Sequence, residues 1–428
     1  ARGCWEENRS DSGRARMNIW IFNHYASNLS LGGAETRHVE FGEAFSKKGH
    51  KVSIFVGSYS HLTEDNMRRF CSPIVSQDSG DSPSFHFFET RRYDSNGLDR
   101  FLASVDYYKS GRRTLGESQL DKPDVVIASS PHPYAWKLGW EIAERYGAKM
   151  IVEIRDVWPR DLISAGKLSR MNPVSILFGA IEKKAYSRAT KIVSLLPGLE
   201  EHICRVTRRS LGEKVVYIPN GIDASRFQNP RITSEVADLV RRFESKRIIA
   251  YLGSHGPTND LETVLRGVKL LNSDNYSEDL QFTFIGRGSE KSNLIALAKE
   301  LSLDNVIFLD QIPKESVPGL IHSVDALIFP LAKFDMETPA VSSYKLLDYM
   351  ASGKPIVAAD LPGLPLKTTG EGEFYEPGNP RSFATAIEML LNSLDKGEIV
   401  CKKNVNYVRN ERDIGALSEK YERVLLEA

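Results

Sequence analysis

The chain has 428 residues, more than one hydrophobic core usually fills, so two domains are expected. Its 56 basic residues equal its 56 acidic residues, and this balance argues against nucleic acid as the main partner. Four scattered cysteines without a C-x-x-C pair predict neither a zinc site nor a disulfide framework, as is usual in a reducing cytosol, and no apolar run is long enough to span a bilayer.

Basic and acidic residues are unevenly spread along the chain. Residues 1–228 hold 33 basic and 27 acidic side chains, whereas the remaining residues hold 23 and 29. A basic first half suits a membrane surface or an anionic acceptor, although chance produces an asymmetry of this size about as readily. Residues 1–16 are polar and rich in arginine with no apolar segment, so they do not resemble a signal peptide, and we predict a disordered leader or tag ahead of Met17.

The chain then predicts a strand, a helix and a second strand, which is how a doubly wound sheet begins. Residues 17–23 form an apolar run, a helix follows to about Lys48, and residues 51–56 form the next apolar run. Gly32 and Gly33 lie in the loop before this helix, where glycines let backbone amides approach an anion. A tight turn between strand and helix would also account for the pair.

Residues 57–122 are less regular, and residues 85–88 are the one clear strand predicted within them. Long irregular segments often bind ligands, so this region is assigned to the acceptor, with a solvated insertion as the alternative. Residues 124–128 form the next predicted strand and lead to His132. Because ligands of open α/β sheets bind at the carboxyl ends of the strands, His132 is a candidate catalytic residue; a structural hydrogen bond within the loop would also explain it.

A charged pair follows the next predicted strand. Residues 149–154 form that strand, and it leads into the sequence Arg155-Asp156-Val-Trp-Pro. An unpaired charge at the end of a buried strand is costly to desolvate. Arg155 and Asp156 are therefore expected to have a partner, and this five-residue run is among the more specific signals in the chain.

An amphipathic helix is predicted over residues 173–188. Its inward positions are expected to follow the i, i+3, i+4 pattern at Ile176, Leu177, Ala180, Ile181, Lys184 and Ala185. Packing against the sheet explains this face. Basic residues surround the helix, so the alternative to packing against the sheet is contact with a membrane surface.

The midpoint of the chain carries a predicted linker at residues 218–223, Ile-Pro-Asn-Gly-Ile-Asp. A second series of strands and helices follows, with strands at residues 247–253, 281–286, 306–309 and 326–329. The sequence Gly286-Arg287-Gly288 lacks the third glycine of a dinucleotide fingerprint, which argues against NAD. A final helix is predicted over residues 412–426.

The most informative stretch is residues 342–355. It predicts a short helix that Ser342 or Ser343 can cap and that Gly353 ends. Lys345 and Asp348 are three residues apart, so they project from the same side of this helix. A cation, a carboxylate and a helix N-terminus suit a ligand that carries both phosphates and hydroxyls. The alternative is that the two charges merely face solvent.

These motifs together resemble the retaining GT-B glycosyltransferases of family 4. The similarity covers nearly the whole chain from Met17. It rests on four motifs in the same order, at residues 155–159, 218–223, 286–288 and 342–355. It implies an α/β fold of the GT-B type, with two doubly wound Rossmann-like domains facing a central cleft. The implied parts are an acceptor domain (residues 17–222), a nucleotide-sugar domain (residues 223–408) and a C-terminal helix that crosses back (residues 409–428).

The resemblance also implies roles for individual residues. In this family the acidic residue at the Asp348 position holds the ribose hydroxyls of the nucleotide sugar, and Lys345 would serve the diphosphate. The donor-binding residues would be Gly32, Gly33, Ser254, Gly286, Arg287, Glu337, Ser342, Ser343, Lys345 and Asp348. The catalytic residues would be His132, Arg155, Asp156 and Lys345.

The chain departs from the usual family pattern at several of these positions. Ala340 stands where the usual form has a glutamate, and Glu337 is a candidate replacement. Ser254 and Asn259 stand where an arginine and a lysine usually neutralise the diphosphate. Arg155 stands where many members have a histidine that touches the donor sugar.

The resemblance implies a retaining hexosyl- or N-acetylhexosaminyl-transferase. It would move a sugar from a nucleotide-diphosphate sugar, UDP-sugar favoured, to a glycan or lipid-linked acceptor in surface-polysaccharide biosynthesis. Neither a metal nor another cofactor is expected, and nucleic acid is not an expected partner. The expected location is the cytoplasm, with peripheral contact at the inner face of the plasma membrane. A GT-B sugar-nucleotide epimerase and a non-catalytic sugar-nucleotide-binding subunit of a polysaccharide assembly complex remain the alternatives.

Overall fold

The computed structural model describes residues 16–26, 36–59, 82–93, 97–164, 166, 168–243, 245–273, 278–333, 343–397 and 401–428. The chain divides into two compact units. The first unit runs to Val193 and also takes Glu200–Val216 and Tyr421–Ala428, whereas the second unit takes Ser194–Leu199 and Tyr217–Lys420.

The first unit is built on a seven-stranded sheet with the order β3-β2-β1-β4-β5-β6-β7. Its strands are β1 (Asn18–Phe22), β2 (Lys51–Gly57), β3 (Ser84–Phe88), β4 (Val125–Ser129), β5 (Lys149–Ile154), β6 (Lys191–Ser194) and β7 (Val215–Tyr217). Its helices are α1 (Arg37–Lys47), α2 (Leu98–Glu117), α3 (Pro133–Tyr146), α4 (Arg160–Ser164), α5 (Pro173–Arg188) and α6 (Glu200–Thr207). Strand β1 pairs in parallel with β2 and with β4, as a doubly wound sheet requires.

Aromatic residues fill the centre of this sheet. Trp20, Phe22, Phe55 and Phe88 are all buried. The rings of Phe22 and Phe55 stack with their centroids 4.9 Å apart. Strands that are apolar on both faces are typical of parallel sheets covered by helices on both sides. This is why the strand positions could be predicted from the sequence.

The predicted irregularity of residues 57–122 is wrong in part, because α2 is a helix of 20 residues. Its buried face is made largely of tyrosines and small or polar side chains, so no clear apolar stripe marks it in the sequence. Gly111 lies on this face. A Cβ at Gly111 would lie 2.6 Å from the Leu138 side chain and 2.8 Å from the Phe88 ring. The helix therefore packs closely on α3 and β3 because glycine is there.

The predicted inward face of α5 is also wrong in part. Ile176 and Leu177 are 57% and 43% exposed, whereas Phe178 and Tyr186 are buried. The larger rings find partners inside the unit: Phe178 packs against Phe101 and Tyr186 against Trp136, and this sets the rotation of the helix. Helix α5 packs mainly on α3 and α6.

The second unit is built on a six-stranded sheet with the order β10-β9-β8-β11-β12-β13. Neighbouring strands of this sheet pair in parallel. Its strands are β8 (Arg247–Leu252), β9 (Leu280–Ile285), β10 (Val306–Leu309), β11 (Ala326–Phe329), β12 (Ile356–Ala359) and β13 (Glu373–Tyr375). Its helices are α7 (Ser234–Arg242), α8 (Leu261–Ser273), α9 (Lys291–Glu300), α10 (Val317–Ser323), α11 (Tyr344–Ser352), α12 (Pro365–Thr369), α13 (Pro380–Asp395) and α14 (Lys402–Glu411). Two parallel sheets confirm the predicted α/β class.

The final helix predicted over residues 412–426 is confirmed as α15, which spans Ile414–Glu427. A further helix that was not predicted, α14, precedes it and ends at Glu411. Between them the backbone bonds to the predicted linker: Ile222 donates to Arg412 O (2.9 Å) and Ile414 donates to Ile222 O (3.0 Å). Gly221 makes room for this contact, because a Cβ there would lie 2.5 Å from Arg412 O.

No helix in the described ranges is both long and apolar enough to cross a bilayer.

The close packing of α2 predicts opposite effects for two glycines of the same helix. Gly111→Ala should destabilise the protein by about 1–3 kcal/mol, since its Cβ overlaps two packed side chains. Gly116→Ala should stabilise it by up to about 1 kcal/mol through helix propensity, because the nearest side-chain atom is 3.7 Å away. Urea unfolding of both variants measures their free energies of unfolding relative to the wild-type protein. Equal effects would contradict the close packing of α2 at Gly111.

Candidate functional site

The helix predicted at residues 342–355 is α11, which begins after Ser343 and ends at Gly353 in the left-handed conformation (φ 71°). Leu346, Leu347 and Met350 are buried, as the apolar pattern predicts. The Ser343 hydroxyl makes no capping hydrogen bond, so that part of the capping prediction is wrong. Four predicted donor-binding residues lie outside the described residues, namely Gly32, Gly33, Glu337 and Ser342.

Lys345 lies in an aromatic setting at the carboxyl end of β8. Its Nζ donates hydrogen bonds to Tyr251 Oη (3.2 Å) and Asn259 Oδ1 (3.0 Å). The same atom lies 4.3 Å from the centre of the Tyr251 ring and 4.9 Å from that of Phe329. Burial lowers the pKa of Lys345 to about 7, because no carboxylate among the described residues offsets the lost hydration. An anionic ligand would supply the missing countercharge.

Glycines make this approach possible. Gly253 has φ 155°, and a Cβ there would lie 3.2 Å from Lys345 Nζ. A Cβ at Gly286 would lie 1.9 Å from Gly253 O, and one at Gly288 would lie 2.3 Å from His255 O. The Gly-x-Gly sequence after β9 is therefore required for backbone packing against the loop after β8. Its structural role differs from that of a dinucleotide fingerprint.

Tyr349, which the sequence analysis did not select, fixes α11 to the sheet. Its hydroxyl accepts a hydrogen bond from Leu252 N (2.8 Å) and donates one to Leu252 O (3.2 Å). Tyr251 was also missed, and its hydroxyl donates to Ser254 O (2.7 Å). Both tyrosines are buried. A buried tyrosine has no distinctive spacing in sequence, so only the tertiary structure identifies these roles.

The other predicted donor-binding residues of the second unit surround the same strand ends. Asp348 is partly buried and lies one turn after Lys345 on the same side of α11. Ser254 and Arg287 are exposed, and their loops are joined because His255 N donates to Arg287 O (2.8 Å). The structure thus gathers Lys345, Ser254, Gly286 and Arg287 from three segments.

His255 is a further residue that the sequence analysis missed. It is fully buried, and neither ring nitrogen has a hydrogen-bond partner among the described residues. Burial, together with the charges of Lys291 and Lys345, lowers its pKa to about 4. His255 is therefore neutral near pH 7 and adds no positive charge beside Lys345.

In the first unit, His132 follows β4 and precedes α3. It is 1% exposed, and its Nε2 lies 2.9 Å from Nδ1 of His24. Burial, together with the charge of Arg100, lowers the pKa of His132 to about 3. A neutral buried imidazole can share a hydrogen bond with His24. His132 thus has a structural hydrogen-bond partner, but in the segment after β1 rather than within its own loop as the alternative expected. Its catalytic role stays a prediction.

Arg155 and Asp156 begin the loop after β5. Both of their backbone amides donate to Ser130 Oγ, at 2.8 and 3.1 Å. Ser130 N in turn donates to Glu153 O (3.1 Å). One serine thereby holds the Arg155 loop against the loop that carries His132, so the structure brings these three predicted residues into one region of the first unit.

A buried carboxylate lies beneath these loops. Glu153 is fully buried and accepts hydrogen bonds from Arg37 Nε (3.1 Å), Ser129 Oγ (3.0 Å) and Tyr421 Oη (3.1 Å), and it also pairs with His38 Nε2 (2.8 Å). Burial alone would raise the pKa of Glu153, but Arg37 and His38 outweigh it and hold that pKa well below its ordinary value. The network positions the end of β5.

Within the described parts of the chain, no three His, Cys, Asp or Glu side chains are grouped so that they could hold a metal ion.

Two family sequence models match the chain. A model described as Glycosyltransferase Family 4 matches residues 31–226, and one described as Glycosyl transferases group 1 matches residues 246–393. Together they cover more than half of the chain; the first match includes the predicted linker, and the second begins after it.

Curated relatives are similar over part of their length. The probable glycosyltransferase WbjE of Pseudomonas aeruginosa is 24% identical over 333 residues, which is 74% of this chain and 78% of that protein. The putative teichuronic acid biosynthesis glycosyltransferase TuaH of Bacillus subtilis (strain 168) is 25% identical over 181 residues, 42% of this chain and 43% of that protein.

Solved structures share the fold. Sucrose-phosphate synthase from Thermosynechococcus elongatus superposes with a TM-score of 0.72 at 15% identity, over 96% of this chain and 99% of that chain. The Anabaena protein HepE in complex with UDP and glucose superposes with a TM-score of 0.65 at 13% identity, over 96% of this chain and 100% of that chain.

Proposed function

Because the chain belongs to the family-4 glycosyltransferases of the GT-B fold, we propose that it is a retaining enzyme that uses a nucleotide-diphosphate sugar, with UDP-sugar as the favoured donor. The observation that carries this proposal is the position of Lys345, held by Tyr251 and Asn259 at the glycine-lined end of β8. Asp348 lies on the same side of the helix, where a carboxylate suits the ribose diol.

Lys345 is proposed to stabilise the leaving diphosphate. The bond from the anomeric carbon to the diphosphate oxygen breaks, the electron pair leaves with that oxygen, and the sugar gains oxocarbenium character. A cation fixed beside the developing charge lowers the barrier more than it strengthens ground-state binding. The acceptor oxygen would form the new bond to the anomeric carbon on the face that the diphosphate leaves, and the departing phosphate would take the proton of the acceptor hydroxyl. No side-chain base is therefore assigned.

The phosphate charge is proposed to be balanced with fewer cations than the family usually provides. Asn259 stands at the position of the usual lysine, and here its side-chain oxygen accepts a hydrogen bond from Lys345 Nζ. Asn259 would therefore orient Lys345 rather than contribute charge. The loop amides near Ser254 and the N-terminal end of α11 would supply the remaining donors.

We propose a polysaccharide or lipid-linked glycan as the acceptor. The name of TuaH, which refers to teichuronic acid biosynthesis, supports this choice, and the UDP bound to HepE supports the donor nucleotide. No metal is proposed to take part, since the sequence offers no Asp-x-Asp pair. A GT-B epimerase or a non-catalytic binding subunit would give no transfer product from a nucleotide sugar and an acceptor.

Peripheral membrane contact is proposed through the exposed side of α5. Met171, Ile176 and Leu177 are 82%, 57% and 43% exposed near the start of this helix. Lys183 and Lys184 are exposed two turns further along. Apolar side chains beside basic ones suit insertion into the interface of an anionic bilayer.

The site assignment predicts different kinetic effects for its two charged residues. Asp348→Ala should weaken binding of UDP and of UDP-sugar by about 1.5–3 kcal/mol, the range for hydrogen bonds to a charged group. Lys345→Ala should lower kcat more than it weakens donor binding, because it acts mainly in the transition state. UDP release and glycan product are measured in excess EDTA with folded variants. Wild-type kinetics in both variants would refute the assignment.

The low pKa of Lys345 predicts a pH dependence of donor binding. In the free protein Lys345 loses its charge as the pH rises through about 7. The affinity for UDP should therefore fall by up to about tenfold per pH unit between roughly pH 7 and pH 9. Isothermal titration calorimetry between roughly pH 7 and pH 9 measures the affinity for UDP. Lys345→Arg keeps its charge and should flatten the profile, and an unchanged slope in this variant would exclude Lys345 as the titrating group.

The membrane proposal predicts that binding depends on three exposed side chains. Replacing Met171, Ile176 and Leu177 by serine should lower co-sedimentation with phosphatidylglycerol vesicles several-fold, because it removes the inserted apolar surface. The control replaces two exposed apolar residues of the second unit by serine. These are Ile232 and Met389, which are 49% and 52% exposed. If the triple variant sediments as well as this control, α5 is not the contact surface.

A further inference from the structure

We infer that the second unit contains a second ligand pocket, which binds an oxyanion carried on a small polar molecule such as a sugar phosphate or a uronic acid. The cavity has a volume of about 380 Å³. Its lining includes Tyr217, Asn220, Leu347, Tyr407 and Arg412. These residues come from the linker region, α11 and the end of α14, so the pocket exists only in the folded unit.

Arg412 and Lys367 are the charged residues that line this pocket. Lys367 pairs with Asp360, whereas two tyrosines hold Arg412 in place. Its Nε and Nη2 donate to Tyr407 Oη, at 2.9 and 2.6 Å, and Nη2 also donates to Tyr217 Oη at 3.1 Å. The guanidinium carbon lies 5.3 Å from the centre of the Tyr407 ring and 5.7 Å from that of Tyr217. No carboxylate among the described residues pairs with Arg412.

This arrangement leaves hydrogen-bond donors without acceptors. Both phenol oxygens accept from Arg412, so each phenol still has its own O–H to donate. The Nη1 group of Arg412 has two further N–H donors. No acceptor for these donors occurs among the described residues. Four donors in one place, with a net positive charge, suit a group that only accepts, such as a phosphate or carboxylate.

The remaining walls indicate that the anion belongs to a larger molecule. Leu195, Leu364 and Pro365 provide apolar surface, and Asn220 and Ser343 provide polar groups. A cavity of about 380 Å³ falls within the usual range for small organic ligands. Mixed walls of this kind suit a sugar ring, which has both C–H faces and hydroxyls.

The pocket shares Ser343 with the predicted donor-binding residues, but it meets α11 on a different side from Lys345. Leu347 lines the pocket, whereas Lys345 points to Tyr251 and Asn259. Two residues along a helix correspond to a rotation of about 200°. The inference therefore does not depend on the proposed donor or on the roles of Lys345 and Asp348.

Isothermal titration of the full chain with glucose 1-phosphate and, separately, with glucuronate tests the pocket without any nucleotide. At least one of them should bind, and the tighter one identifies phosphate or carboxylate as the preferred group. Arg412→Gln should weaken that binding about tenfold or more, as loss of a charged hydrogen-bond donor predicts. Arg409→Gln, which changes an exposed arginine three residues before Arg412, should have no effect.

Two more variants distinguish binding in this pocket from binding elsewhere on the chain. Tyr217→Phe with Tyr407→Phe keeps both rings and removes both hydroxyls, so it tests the donors even if Arg412→Gln does not fold, and it should weaken binding several-fold. Lys345→Ala should leave binding unchanged. Absence of binding by both probes, binding that the pocket variants leave intact, or binding lost only in Lys345→Ala would overturn the inference.

Discussion

The contact between the backbones of Gly253 and Gly286 is the constraint on which the candidate donor site depends. A side chain at Gly286 would overlap the Gly253 carbonyl, and one at Gly253 would crowd the Lys345 amine. The two strand ends can meet only because both positions lack a Cβ. Tyr349 then fastens α11 to the same strand through both backbone groups of Leu252. A lysine on a short helix is thereby held against the end of a parallel sheet.

The cost of holding this lysine without a countercharge explains its chemistry. Two aromatic rings and two neutral oxygens surround Lys345 and replace only part of its lost hydration. Its pKa falls to about 7 for this reason. The site is thus less cationic when empty than its sequence suggests, and an anionic ligand would restore the charge. Arg412 differs in its surroundings, because its hydrogen-bond acceptors are two tyrosine hydroxyls on neighbouring segments.

In the first unit, by contrast, the buried charges have partners of opposite charge. Glu153 is surrounded by donors from α1, β4 and the last residues of the chain, so its charge is compensated. Glu422 likewise pairs with Lys48 and His50. Removing one partner from such a network leaves an uncompensated charge, which is strongly destabilising. These pairs therefore anchor α15 and support the end of β5 that precedes Arg155.

The sequence alone determined the fold class, most strands and the helix that carries Lys345 and Asp348, because buried parallel strands and helix ends leave local patterns in sequence. It did not determine α2, whose buried face is small and polar, or the rotation of α5, which large rings such as Phe178 decide. The partners Tyr251, Asn259 and Tyr349 also required the tertiary structure, as did the grouping of Tyr217, Tyr407 and Arg412. Contacts between residues 94 or 195 positions apart follow from the packing of strands and helices and have no local signature.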